Sequence, residues 1–91
     1  MIYAVNYDLR QPNRDYSGVF TAIKNCGDWW HYLESTWLVD TYLTSDQIWD
    51  RISPHVHPKD SVLIHAVGRD HQGWLQQSAW DWINNRQRVT L

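Results

Sequence analysis

Residues 2–8, Ile-Tyr-Ala-Val-Asn-Tyr-Asp, constrain this chain more than any other stretch. Strand alternation puts Ile2, Ala4 and Asn6 on one side and Tyr3, Val5 and Tyr7 on the other. Both sides are largely apolar, so this strand is expected to be central in a sheet, covered on both faces or facing a partner. It runs from the first residue and ends on a carboxylate, Asp8, which the basic, turn-forming stretch Leu9-Arg-Gln-Pro-Asn-Arg14 follows at once. An acid delivered to the rim of a sheet beside two arginines suits chemistry or phosphate contact. It suits a helix cap and a surface salt bridge equally well.

A second stretch of the same kind is Ser61-Val-Leu-Ile-His-Ala-Val67, again apolar on both faces. Between the two, Asp15 is an N-cap, and Tyr16, Val19, Phe20 and Ile23 fall on one helical face, which predicts a helix over 15–26. Lys24 favours its last turn and Gly27 is its stop. Aromatic and β-branched residues then predict strands near 29–33 and 36–42, with a turn at Glu34-Ser35 that lacks the usual Gly or Asn. Thr44 and Gln47 match a capping box opening a helix whose stripe is Ile48, Trp49 and Ile52 and which Pro54 ends. Residues 55–60 and 68–73 read as loops. A third helix is expected over 74–85, with Leu75, Ala79, Trp82 and Ile83 as its stripe. The domain is read as 1–86, with 87–91 as a polar tail.

The order β-α-β-β-α-β plus a terminal helix predicts an α+β, ferredoxin-like antiparallel sheet of four strands. The first and last core strands are expected to be central. Both helices would cover one face. The other would be open to a dimer partner, the C-terminal helix or nucleic-acid bases.

Ninety-one residues fit one small domain, which buries only about 60–65% of its unfolded surface and is marginal alone. Seven Trp and five Tyr against one Phe are hard to hide in so small a core, so some are expected on an exposed face or an interface. A net charge of -2 argues against a general charge-driven nucleic-acid binder but leaves room for a local patch or for stacking. The single Cys26 rules out an internal disulfide and fits a reducing compartment. With no signal-like n- and h-regions and no long apolar run, the expectation is a soluble, cytoplasmic protein without a membrane partner.

Several motifs in this order resemble a known family. They are Tyr7-Asp8-Leu9 ending the first strand, the helix and stop from Tyr16 to Gly27, and Gly27-Asp-Trp-Trp-His-Tyr-Leu-Glu-Ser-Thr-Trp37. Leu43-Thr44, Asp60-Ser-Val-Leu-Ile64, Trp74-Leu75 and Ala79-Trp80-Asp81-Trp82 continue the match. The chain resembles the small CRISPR-associated adaptation proteins of the Cas Two type, and more closely a divergent SinR-like branch. The resemblance covers most of residues 1–83. It implies a ferredoxin-like homodimer. It further implies either a metal-dependent nuclease, in which the strand-end Asp of each protomer holds a divalent ion, or a non-cleaving bridge between a protein and duplex DNA. The position matching that Asp is Asp8.

Each candidate site carries a plain alternative. Asp8 is the candidate catalytic and metal residue for Mg²⁺ or Mn²⁺, yet one carboxylate is thin unless a twofold axis supplies a second. Its alternative is a local bridge to Arg10 or Arg14. Arg10, Arg14 and Arg69 lie in loops that would gather near the ends of central strands and contact phosphate. Their alternative is a solvated surface with salt bridges to Asp15 and Asp70. His55 and His57 read as surface residues rather than zinc ligands, and His65 as a hydrogen-bonded core histidine. Ser35 with His31 has no elbow motif around it, and Cys26 reads as helix packing. The tryptophans would stack bases or fill core and dimer contacts. The reading is a non-catalytic or weakly catalytic nucleic-acid or nucleotide-binding homodimer of a prokaryotic or phage defence system. A nuclease with paired Asp8 and a protein-interaction module are the alternatives.

Overall fold

A computed structural model describes residues 1–89, and the side chains of residues 1–86. Its elements are β1 (Ile2–Asp8), α1 (Ser17–Lys24), β2 (Asp28–Leu33), β3 (Thr36–Asp40), α2 (Ser45–Ile52), β4 (Ser61–Ala66) and α3 (Gln77–Val89), with a 3-10 turn at Ser53–His55. The strands form one four-stranded sheet in the order β2-β3-β1-β4, and every neighbouring pair is antiparallel. The chain is thus a small α+β domain with three helices. None of the described helices is long and apolar enough to cross a membrane.

β1 is central, as its two apolar sides predict. Val5 stands opposite Trp37 of β3 and Ile64 of β4 and is fully buried. The second central strand is β3. β4, expected in the centre, is an edge strand, and its Leu63 and His65 are exposed. An apolar run is compatible with both places, because only the pairing partners decide between them.

The two sheet faces are covered by different helices. Val5, Trp37 and Val39 meet Val19 and Ile23 of α1 and Ile48 and Ile52 of α2 in one core. Ile2, Ala4, Trp30 and Leu38 meet Ala79 and Ile83 of α3 in a second core on the opposite face. Each fully buried Val or Ile contributes roughly 1.5–3 kcal/mol. α3 leaves the Asn6–Thr36 end of its face uncovered; there Thr36 donates to the Asn6 side-chain oxygen at 2.9 Å.

Local signals explain the helix ends. Thr44 Oγ1 accepts from Gln47 N at 3.2 Å, and Gln47 Oε1 accepts from Thr44 N at 2.9 Å, completing the expected capping box of α2. Asp15 accepts from Ser17 N at 2.9 Å, so it caps from one residue further out and α1 starts at Ser17 rather than at 15. Gly27 does not act through a left-handed stop, since no described residue has positive φ. It is needed because a Cβ there would run into the Asp40 carbonyl as the chain turns from α1 into β2. α3 starts at Gln77, leaving Trp74 outside it, and continues to Val89, so residues 87–89 are helix rather than tail. Residues 90–91 of the expected tail lie outside the described residues.

Candidate phosphate-contact site at the end of the central strand

β1 carries Asp8 to the rim of the sheet, opposite Ser61 of β4. Asp8 borders a hollow of about 340 Å³ with Asn6, Ser35, Thr36 and Leu63 on the uncovered face. It also borders one of about 500 Å³ with Arg10, Phe20 and Glu34. Arg10 Nη2 lies 3.4 Å from Asp8 Oδ2, and both side chains are mostly exposed. Such a pair contributes no more than about 1 kcal/mol, so a stronger anion would displace Asp8 from Arg10.

The loop that holds Arg10 and Arg14 is fastened by one carboxylate. Asp60 Oδ1 accepts from Arg10 N at 2.8 Å and from the Tyr16 hydroxyl at 2.7 Å, and Asp60 Oδ2 accepts from His57 N at 2.9 Å. The same Tyr16 oxygen accepts from Gln11 N at 3.2 Å. Burial would raise the Asp60 carboxyl, but these hydrogen bonds outweigh it and hold its pKa below the ordinary value. Desolvation, reinforced by donation to Asp60, pushes the Tyr16 phenol up. Arg14 Nη2 donates to the His55 carbonyl at 3.4 Å, and its guanidinium lies 5.8 Å from the Tyr16 ring centre. Arg10 and Arg14 are therefore set on a braced ledge rather than on a free loop.

Arg69 does not join them. β4 runs antiparallel to β1, pairing Ser61 with Asp8 and Ala66 with Tyr3, so Arg69 leaves the sheet at the opposite end. Five strand residues separate the two ends, roughly 17 Å. The structure thus pairs Asp8 with Arg10, turns Arg14 to the His55 carbonyl and the Tyr16 ring, and sends Arg69 to the other end of the sheet.

The described residues of the single chain do not fit a Mg²⁺ or Mn²⁺ site. Among the described residues no group of three or more His, Cys, Asp or Glu is placed to hold a metal. Asp8 offers a single carboxylate, already shared with a guanidinium, where an octahedral ion asks for several oxygen ligands. His57 Nδ1 accepts from Lys59 N at 3.1 Å, which uses that nitrogen for the loop. His65, expected in the core, is exposed and contacts the Ala66 carbonyl, because β4 is at the edge. His31 is not turned to Ser35: its ring stacks on Trp37 at 3.9 Å and Nε2 lies 3.2 Å from the Glu34 carbonyl. Cys26 is buried and its Sγ donates to the Ala22 carbonyl; burial raises its thiol pKa, against a smaller opposing effect of Arg51.

The tryptophans divide by position. Trp30 and Trp37 are core residues, while Trp29, Trp49 and Trp74 are exposed, Trp74 almost completely. Trp37 Nε1 donates to the Tyr7 hydroxyl at 3.0 Å, which donates on to the Glu34 carbonyl at 3.3 Å. Two residues organise the molecule without a local sequence signal: Asp60 is marked only by its place beside a strand start, and Arg86 lies at the margin of the expected tail. No protein-family model, no curated protein and no solved structure matches this chain.

Proposed function

We propose that this chain is a non-catalytic nucleic-acid-binding homodimer that takes phosphate on Arg10 and Arg14. The observation that carries this reading is the Asp60 brace, which fixes the backbone of Arg10 and the ring of Tyr16 beneath Arg14. Preorganised guanidinium groups lose less freedom on meeting a phosphate than arginines on a free loop. The non-catalytic part is supported by the Asp8–Arg10 pair, which engages the carboxylate at the end of β1 within its own chain. A ferredoxin-like assignment is supported by β1 and β2 flanking β3 and by α1 and α2 lying on one face. A dimer contact through β4 is supported by its being an edge strand without Pro or charge whose Leu63 is exposed. A role in prokaryotic or phage defence is supported only by the resemblance of the sequence motifs around Asp8, Gly27–Trp37 and Asp60–Ile64 to the small CRISPR-associated adaptation proteins.

The test is fluorescence anisotropy with labelled single-stranded and duplex oligonucleotides, alongside sedimentation to fix the oligomer. Two phosphate contacts per protomer, four per dimer, give a log–log salt slope of about -2.8 on single strands. Raising salt from about 50 to 200 mM should then weaken binding by about 50-fold. Arg10→Ala with Arg14→Ala should flatten that slope, and Arg69→Ala should leave it unchanged. Absence of binding at low salt, or equal loss with Arg69→Ala, would overturn the reading.

A further inference from the structure

The two edges of the sheet differ. β2 is blunted: its pairing with β3 shifts register between Trp30 and Leu33, it opens on the charged Asp28, and its Tyr32 hydroxyl is engaged by Ser78 Oγ of α3 at 3.2 Å. β4 has none of these devices. Its six residues carry no Pro and no charge, and its pairing with β1 runs without a shift. Among the described residues no strand pairs with its outer side. Charges, bulges and Pro are the means by which sheets close an edge, and an edge without them accepts a further strand.

The phase of the backbone says what that strand would meet. Val67 N donates to the Ile2 carbonyl at 2.8 Å, one step beyond the Tyr3–Ala66 pair. Antiparallel pairs alternate between bonded and non-bonded. Ser61, Leu63 and His65 therefore turn their backbone groups to β1, and Val62 and Ile64 turn theirs to the open edge. Leu63, 62% exposed, stands on the part of the sheet face that α3 leaves uncovered, while Val62 and Ile64 pack against the core under α1 and α2. An added strand must be uncharged and apolar on both faces, and β4 itself fits that description. Paired antiparallel with its own copy about Leu63, it sets Leu63 against the partner's Leu63 as the closer, non-bonded pair. Val62 then exchanges backbone hydrogen bonds with the partner's Ile64, and the α1–α2 core continues across the twofold axis.

We propose that two copies of this chain join β4 to β4 about Leu63, making one continuous sheet in which the two Asp8 carboxylates are too far apart to share a metal ion. Asp8 stands opposite Ser61, and Ser61 would stand opposite the partner's His65. Four residue steps along the strands and three strand spacings across them put the two Asp8 about 20 Å apart. A twofold axis through β4 thus supplies no second carboxylate, and the dimer carries two separate Arg10 ledges, one at each of two opposite corners. The inference rests on the homodimer of the reading above and not on its ligand.

The test is made on the full chain without any oligonucleotide. Sedimentation of the wild-type protein should show a dimer. Leu63→Lys and Leu63→Glu should each raise its dissociation constant about 100-fold, since like charges would replace buried leucines at the axis. Mixing the two variants should restore the dimer, because opposite charges then meet. With the buried Cys26 left in place, Leu63→Cys should form an intermolecular disulfide, and Tyr32→Cys on the β2 edge should not. Nitroxides on Asp8→Cys should lie about 20 Å apart or more by double electron–electron resonance. If a charged variant does not fold, the cysteine variants decide. A wild-type monomer, which would leave the edge to a foreign strand, would overturn the proposal. So would a mixture that stays monomeric, or labels within about 10 Å, where two Asp side chains reach one ion. A dimer joined at Leu63 that binds no oligonucleotide sinks the phosphate reading and leaves this one standing; a monomer that binds one does the reverse.

Discussion

Arg86 Nη1 lies 3.1 Å from Asp40 Oδ2, joining the last helix to the end of β3 across 46 residues of sequence. The same nitrogen lies 3.1 Å from Asp28 Oδ2 of β2, and the guanidinium sits 4.4 Å from the Trp82 ring centre. Asp40 is engaged a second time, with Oδ1 3.3 Å from the Met1 nitrogen. One arginine therefore fastens α3 to two strands, over the core that contains Trp30.

Arg86→Ala should loosen α3 without unfolding the sheet. Arg86 and Asp40 are both about 28% exposed, so screening discounts the pair, and a loss of about 1–2 kcal/mol is expected. Asp28→Asn should cost less, because Asp28 is 75% exposed. Urea denaturation followed by tryptophan emission checks both. A loss for Asp28→Asn as large as for Arg86→Ala would contradict this ranking.

Gly27→Ala should destabilise the fold by about 1–3 kcal/mol, since the new methyl meets the Asp40 backbone rather than a movable side chain. Gly73→Ala is the control. Its Cβ would meet nothing within 4 Å and its φ is not positive, so the change should stay within about 0.5 kcal/mol. Paired thermal melts read the difference.

Asp60 predicts the acid limb of the stability curve. Its folded pKa is held below the ordinary 3.8, so the stabilisation is complete above about pH 4 and is lost as pH falls through the depressed value. Asp60→Asn should flatten that limb and free the Arg10–Arg14 loop. Denaturation midpoints between about pH 2.5 and pH 6 test this, and an unchanged slope in the variant would disprove it.

Asp8→Asn separates a salt-bridge partner from a metal ligand. Released from its carboxylate, Arg10 should bind phosphate better, and oligonucleotide affinity should rise by about two- to fivefold at low salt. Loss of a Mn²⁺-dependent cleavage in the same variant would instead return the nuclease reading.

Cys26 should resist alkylation in the folded protein. Its thiol is buried, bonded to the Ala22 carbonyl and raised in pKa, so labelling should track global unfolding. Rapid labelling in native buffer would show that α1 opens locally.

The legible parts of this chain are those whose signal is local. Thr44 and Gln47 are three residues apart and cap α2 as the motif requires. The turn at Glu34-Ser35 sits where the strand pattern reverses, although nothing in that pattern marks the register shift between Trp30 and Leu33. The apolar sides of β1 anticipated its central place because each side needs its own cover. β4 shows the limit: Ser-Val-Leu-Ile-His-Ala reads the same at the centre or at an edge. The arginines show another, since loop composition marks Arg10, Arg14 and Arg69 alike and only strand direction sends Arg69 to the far end.

The amino-acid sequence by itself determined the strand and helix periods, the α2 cap, the apolar character of β1 and the presence of an acid beside two arginines. These depend on residues within about two turns or one strand of each other. The tertiary structure decided which ends meet. Asp60 finds Arg10 and Tyr16 from 50 and 44 residues away, and Arg86 finds Asp28 from 58. It also set Asp8 against Arg10 within one chain and buried the Trp30 indole N–H in the core that α3 covers. No local pattern encodes such contacts, because side chains distant in sequence become neighbours only once the sheet has fixed its strand order and both faces have been covered.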